Sequence, residues 1–262
     1  MAVASVLLDP GNAPMNRGLY TAASGAVAAL ARLDAATHNV ANVNTIGYKA
    51  ERAVFELHPL DAGARAAVDP VLGRTAGQVR HQATIRDFSP GPTHQTGNPL
   101  DVAIDGAGFF AVATPRGERY TRAGNFALDR EGYLVTATGL RVQGDAGDIQ
   151  VGTGDVEIGA DGTISADKAP VGRLKLVQLG EPPRVLAEGG ALFAPAPGAV
   201  AGPLDDTEVR VVPGTLEGAN VDAVAGLLAL VDIARSYESY MHALRRFDQL
   251  AERAINEVGR VG

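Results

Sequence analysis

The chain has no cysteine and no tryptophan, and Phe and Tyr make up only 5% of its 262 residues. Without cysteine there can be no disulfide, thiolate metal site or cysteine nucleophile, and nothing separates an oxidising from a reducing compartment. Basic residues are also scarce: 23 Lys and Arg stand against 30 Asp and Glu, for a formal charge of −7. Such a balance offers no basic surface for phosphates or anionic lipid, so nucleic acid is excluded as an expected partner. Long hydrophobic runs are missing too. The stretch Val3–Leu8 is too short to cross a bilayer and lacks the positive flank of a cleaved signal, so neither membrane insertion nor signal cleavage is expected.

What is plentiful is glycine, at 32 residues, and proline, at 15, within a composition that is 46% hydrophobic. Enough apolar material for a core, divided by many turn formers, suits numerous short strands. The two ends differ from this. Apolar or small residues recur as Leu19, Ala23, Ala26, Leu30, Leu33, Thr37 and Val40, alternating steps of four and three. The same rhythm returns in Leu227, Leu230, Ala234, Tyr237, Met241, Leu244, Asp248, Ala251, Ile255 and Val258, broken only by Asp248. These are heptad seams, and they predict helices over about 16–43 and 219–258. The first stripe is narrow and Ala-rich, so a lone helix would bury too little to be stable in water.

Between the ends the period changes to two. Leu100, Val102 and Ile104, then Phe109–Val112, Phe126 with Leu128, Tyr133 with Val135, Leu140 with Val142, and Val156–Ile158 read as short strands. Asp105-Gly106, Glu131-Gly132, Thr138-Gly139 and Asp161-Gly162 supply turns between them. Residues 58–96 carry scattered Pro and Gly with weak periodicity and read as a connecting arm; residues 180–204 read as an irregular connection. The predicted class is α+β: a discontinuous coiled-coil-like helical domain from both termini with an inserted all-β domain. Residues 1–15 form a flexible leader, 16–57 and 214–262 supply the helical domain, 58–96 the arm and 97–213 the β-rich domain.

Catalytic chemistry finds no foothold. The histidines, His38, His58, His81, His94 and His242, form no HExxH and no helical pair four apart. Asp and Gly recur through Gly144–Asp148 and Asp161–Asp167 without calcium-loop spacing, and Gly106-Ala107-Gly108 runs into Phe109 rather than a helix. No catalytic, cofactor-binding or metal residue is nominated, and no cofactor is expected.

One string is more specific. Thr37-His38-Asn39-Val40-Ala41-Asn42-Val43-Asn44-Thr45-Ile46-Gly47-Tyr48-Lys49 resembles the N-terminal signature of bacterial flagellar rod and hook proteins. Helix-capping chemistry explains its Asn residues and Gly47 but not the whole string. Pro99–Phe110, Tyr120–Phe126 with Asp129–Leu134, and Leu216–Asp222 with Arg235–Glu238 resemble further stretches of the same family. Length and the segment Ala169–Val177 are more similar to its proximal rod members than to distal rod or hook members.

The resemblance implies a structural subunit of the basal-body rod, exported by the flagellar type III apparatus without a cleaved signal and located in the periplasmic rod. Its implied partners are other rod subunits and further copies of itself. Seams and signature together nominate as assembly residues Leu19, Leu30, Leu33, Val40, Asn39, Asn42, Asn44, Gly47 and Tyr48 near the start, and Leu227, Leu230, Tyr237, Met241, Leu244 and Ile255 near the end. The competing readings are a distal rod or hook subunit, an extracellular carbohydrate-active enzyme, and a phage-tail-like binding module. Paired carboxylates in one cleft would favour the enzyme, and a ligand groove on the β-domain the binding module.

Overall fold

Pro14 suits the first turn of a helix, where its missing N–H is not needed, and no proline follows for the rest of that segment. The result is α1, Pro14–Ala41, rich in alanine. At the other end Asp222 stands at the cap position before α2, Ala223–Val258, whose 36 residues rise about 54 Å at 1.5 Å each. The computed structural model describes residues 14–59, 77–152, 154–180, 183–189, 191–199, 201–203 and 210–258. Of the expected leader, residues 1–13 lie outside this set, while Pro14 and Met15 are already helical.

The chain divides into two compact units. The first takes in residues 1–40, 51–86 and 223–262. Besides the helices it contains a two-stranded antiparallel ribbon, β1 (Glu51–Pro59) against β2 (Gly77–Arg86), with a bulge between Val54 and Phe55. The ribbon is tied to the middle of α1, where the Val79 amide donates to Ser24 Oγ (3.3 Å) and the Arg32 guanidinium lies 5.8 Å from the Phe55 ring centre, and again near its end through Asn39 and Glu51. This corrects the expectation of a connecting arm over 58–96, since residues 77–86 and Thr93–Gln95 are strand. The physical reason is that residues 80–85 are exposed on both faces, so β2 has no alternating apolar side to betray it.

The second unit comprises residues 41–50 and 87–222. Its six-stranded sheet runs from edge to edge as Val185–Gly189, Leu192–Pro195, Gly117–Thr121, Phe109–Thr114, Leu176–Gln178 and Gly202–Pro203, every pair antiparallel. Smaller hairpins join Phe126–Leu128 to Leu134–Thr136, and Val156–Ile158 to Thr163–Ala166 around Asp161-Gly162. Two ladders bring late residues back to early ones: Arg210–Pro213 pairs Val102–Asp105, and Thr215–Glu217 pairs Thr93–Gln95. The stretch 180–204, expected to be irregular, supplies three strands of the main sheet among its described residues. Its Pro and Gly masked a hairpin that folds at the sheet edge, where interruptions in the ladder are tolerated.

Two cores fill this unit. The larger gathers Val102, Phe110, Val112, Leu134, Val142, Ile164 and Val211, all nearly inaccessible. The smaller is aromatic: Phe88, Phe109 and Phe193 meet edge to face at 5.5–5.7 Å, beside Tyr120 and Val177. With no tryptophan in the sequence, these few rings carry a large share of the apolar burial.

Tyr120 gives this packing a measurable signature. Burial, together with a hydrogen bond from its hydroxyl to Glu118 Oε1 (3.0 Å), pushes its pKa up from 10.0 to about 12. A raised phenol pKa stabilises the fold below the ordinary value, and that contribution is lost as pH climbs from about 10 to about 12. Ultraviolet titration of the native protein should therefore show a late phenolate step near pH 12. Tyr120→Phe should remove that late step and flatten the alkaline loss of stability; an unchanged titration curve in that variant would contradict the assignment.

Candidate assembly surfaces and the signature segment

After α1 the chain folds into successive tight turns. Thr45 N donates to Asn42 O (2.9 Å), Tyr48 N to Thr45 O (3.3 Å), and the Thr45 hydroxyl to Asn42 Oδ1 (3.1 Å). Gly47 then adopts φ +68°, and a Cβ there would lie 2.3 Å from the Ala123 nitrogen. Both the backbone sign and the close approach require glycine. Its own N–H donates to the Glu217 carbonyl (2.8 Å), Tyr48 turns inward and is buried, and Lys49 follows it with 0% exposure.

A buried lysine must find its counter-charge and acceptors inside the protein. Lys49 Nζ donates to Glu217 Oε1 and to the Ser89 carbonyl, each at 2.7 Å. The other oxygen of Glu217 faces Arg122 Nη1 at 3.5 Å. Arg122, itself buried, also donates to the carbonyls of Gly106 (2.7 Å) and Ile104 (3.3 Å) and lies 5.3 Å from the Phe109 ring centre. One carboxylate thus serves two cations, and three backbone carbonyls accept further donors from them, while the buried Nε of Arg122 is left without an acceptor among the described residues. Desolvation holds the Lys49 and Arg122 pKa values below their ordinary range against the opposing pull of Glu217. Nearby, Asn220 accepts from the Ala50 N–H (2.7 Å) and donates to the carbonyls of Asp87 (2.8 Å) and Ser89 (3.1 Å).

Three separated stretches of sequence meet here: Gly47 and Lys49 from the first, Arg122 and Ala123 from the second, Glu217 and Asn220 from the third. Lys49, Arg122, Glu217 and Asn220 escaped nomination because nothing local marks them. Lys49 and Glu217 lie 168 positions apart, and each looks like a surface charge until the fold is known. The only available signal was their presence inside the family-like strings.

In the first unit, Asn39 pairs with the backbone of Glu51 as a strand would, donating from Nδ2 to its carbonyl (2.8 Å) and accepting from its N–H at Oδ1 (2.7 Å). The Glu51 carboxylate is held by Arg86 and approached by His38 Nδ1 (3.3 Å). The helices meet antiparallel. A Cβ on Gly18 would lie 2.6 Å from the Phe247 ring, one on Gly25 2.5 Å from Tyr240, and one on Gly226 2.8 Å from Val40. Small residues on one helix therefore receive large ones from the other, and Ala22, Ala26 and Ala29 are buried on α1.

The nominated assembly residues differ in exposure within one chain. Leu19, Leu33 and Val40 are half-buried, as are Asn39 and Asn42 and, on α2, Leu230, Tyr237, Met241 and Leu244. Gly47 and Tyr48 are buried and Asn44 is exposed. Leu30 and Leu227, expected inside the seam, are 41% and 54% exposed, and the side chain of Ile255 lies outside the described residues. Between the helices, Gly18 and Gly25 of α1 take the rings of Phe247 and Tyr240, and Ala22 and Ala29 on the same stripe are buried. Large apolar side chains also remain outward: Tyr20, Val27 and Leu30 on α1, and Val224, Leu227, Leu228 and Val231 on α2.

Among the described residues there is no group of three His, Asp or Glu side chains suited to a metal and no helix long and apolar enough to cross a membrane. The geometry is that of a folded scaffold with uncovered apolar helix flanks. Gly47→Ala tests the signature turn: strain at positive φ plus the collision with Ala123 should lower stability by about 2 kcal/mol or more in denaturant melts. Wild-type stability in that variant would show that the turn can relax.

Three family descriptions match the chain: flagella basal body rod protein over residues 19–49, flagellar hook protein FlgE/F/G D1 domain over 103–166, and flagellar basal body rod FlgEFG protein C-terminal over 212–257. The flagellar basal-body rod protein FlgF of Caulobacter vibrioides is 32% identical over 250 residues, covering 94% of this chain and 100% of that protein. FlgF of Escherichia coli is 35% identical over 253 residues, covering 92% and 97%. FlgG of Caulobacter vibrioides is 31% identical over 256 residues, covering 90% and 97%. With similarity of this extent and with the signature stretches converging on one buried cluster, the chain belongs to the flagellar basal-body rod protein family that includes FlgF and FlgG.

Proposed function

We propose that the chain is a structural subunit of the proximal flagellar rod, exported by the type III apparatus to the periplasmic part of the basal body. There its terminal helices complete their burial against neighbouring subunits in a coiled-coil-like packing and help the rod carry torque. The observation that carries this reading is the apolar surface left uncovered by the helix pair. Leu228 is 64% exposed, Val27 59% and Tyr20 54%, on helices whose mutual contact is made through glycine and alanine. Covering such side chains stabilises by about 25 cal/mol per Å² of apolar surface, a gain open to a subunit among neighbours and closed to a lone chain. The FlgF and FlgG relatives, matched along nearly their whole length, support a rod role.

A pair of variants separates assembly from folding. Leu228→Asp changes an exposed position and should alter monomer stability by no more than about 0.5 kcal/mol. It should nonetheless fail to join the rod and leave cells of a strain lacking the native copy without filaments. Leu244→Asp places a carboxylate on the half-buried helix face and should also loosen the helix pair, seen as lost helical signal in circular dichroism. Normal motility with stoichiometric incorporation of Leu228→Asp would overturn the assembly reading. Density for the chain in the distal segment of imaged basal bodies would reassign it to that part of the rod.

A further inference from the structure

The contacts inside the helix pair fix how far along one another α1 and α2 lie: Gly18 meets Phe247, Gly25 meets Tyr240 and Gly226 meets Val40. Counted from these, Leu228 comes level with about position 38, near the end of its own α1, and the stripe of Tyr20, Val27 and Leu30 lies beside the middle of α2. Charge follows the same division. Residues 18–31 carry no charged side chain and neither do 223–231, whereas the middle of α2 holds Arg235, Glu238, Arg245 and Arg246. The two uncharged stretches are thus displaced along the pair by about 20 Å, at 1.5 Å per residue. They also occupy opposite flanks. Tyr20, Val27 and Leu228, all exposed, each stand two positions after a glycine that faces the other helix, Gly18, Gly25 or Gly226. Two residues turn a helix by about 200°, which carries these side chains to the far side. The ribbon takes a third side, across a groove bounded by Arg32 and Asn39 of α1, Arg52 of β1, and Asp232 and Ser236 of α2.

We propose, resting on the assembly reading above, that a second copy of this chain covers these flanks in a staggered, head-to-tail contact. The start of α2, with Leu227, Leu228 and Val231, packs on Tyr20, Val27 and Leu30 of the next copy's α1, displaced by about 20 Å along the helices. A two-fold dimer joins like surface to like, so it covers one flank and leaves the other exposed. A head-to-tail contact uses both flanks in every copy and stays open to further copies. The stagger follows from charge: without it the α1 stripe would press against Arg235 and Glu238, and with it both surfaces are uncharged. Their spacings also agree. Tyr20 and Val27 stand seven residues apart, as do Val224 and Val231, the interval at which side chains of neighbouring helices interlock.

Because the chain has no native cysteine, disulfide trapping tests this in basal bodies isolated from cells whose only copy is the variant. Within one copy, positions 27 and 228 lie about 16 Å apart along the helices, beyond the reach of a disulfide. Val27→Cys with Leu228→Cys can therefore close only between copies. On oxidation it should give a ladder of dimers, trimers and higher species, as should Tyr20→Cys with Val231→Cys, while each single variant stays monomeric. The unstaggered pair, Val27→Cys with Glu238→Cys, should also stay monomeric. In a second measurement, p-benzoylphenylalanine in place of Leu228 should on illumination capture residues 18–31 of another copy, identified by mass spectrometry. Dimers from a single variant would reveal a two-fold contact, a ladder from the 27 and 238 pair an unstaggered one, and capture of a different polypeptide another partner. Each of these would overturn the staggered contact. Absence of the native chain from basal bodies would overturn the rod reading and this contact with it; a native chain that is present, with no ladder from either staggered pair, would overturn the contact alone.

Discussion

A single buried carboxylate holds together the part of this protein in which its distant sequence elements meet. Glu217, 2% exposed, touches Lys49 through one oxygen and faces Arg122 through the other, while its backbone carbonyl receives Gly47. Burying three charges is not a route to high stability, since desolvation cancels most of the Coulomb attraction. It is a route to a defined arrangement. An apolar patch would accept several placements of the incoming chain, whereas an ammonium, a guanidinium and three carbonyls around one carboxylate accept a narrow set. The left-handed turn at Gly47 and the approach of its backbone to Ala123 belong to the same constraint.

The two compact units meet their burial requirements differently. The β-rich unit is nearly self-sufficient: its main core is shut away from solvent, its aromatic cluster packs edge to face, and late strands pair with early ones. The helical unit is not. Its long helices touch through glycine and alanine, residues 80–85 of its ribbon strand β2 are exposed on both faces, and a set of large apolar side chains points outward. A subunit built this way keeps its fold in one part and its capacity for association in the other, which accords with the proposed role as a rod component.

Class and element type were legible in the sequence because they depend on local rules. Heptad spacing marked both helices, period-two runs with Asp-Gly turns marked strands such as Phe109–Thr114 and the hairpin around Asp161-Gly162, and Gly47 showed itself as a turn residue. Periodicity failed where neither face is buried, as in β2, and where Pro and Gly interrupt an edge hairpin, as in Val185–Gly189 with Leu192–Pro195. A heptad fixes spacing but not which of two adjacent stripes turns inward, and here Gly18 and Gly25 take rings from α2 while Leu30 and Leu227 face outward.

The sequence by itself determined that this is a cysteine-free, acidic, turn-rich chain with helical ends, and its signature string pointed to the family. Only the tertiary structure decided that residues 41–50 belong with 87–222, that the Asn39 side chain bonds the Glu51 backbone, and that Lys49, Arg122 and Glu217 share one buried site. The reason is physical. Periodicity reports how each segment meets its immediate surroundings, but the worth of a charge depends on what stands beside it, and here the partners come from positions 168 and 95 residues apart along the chain.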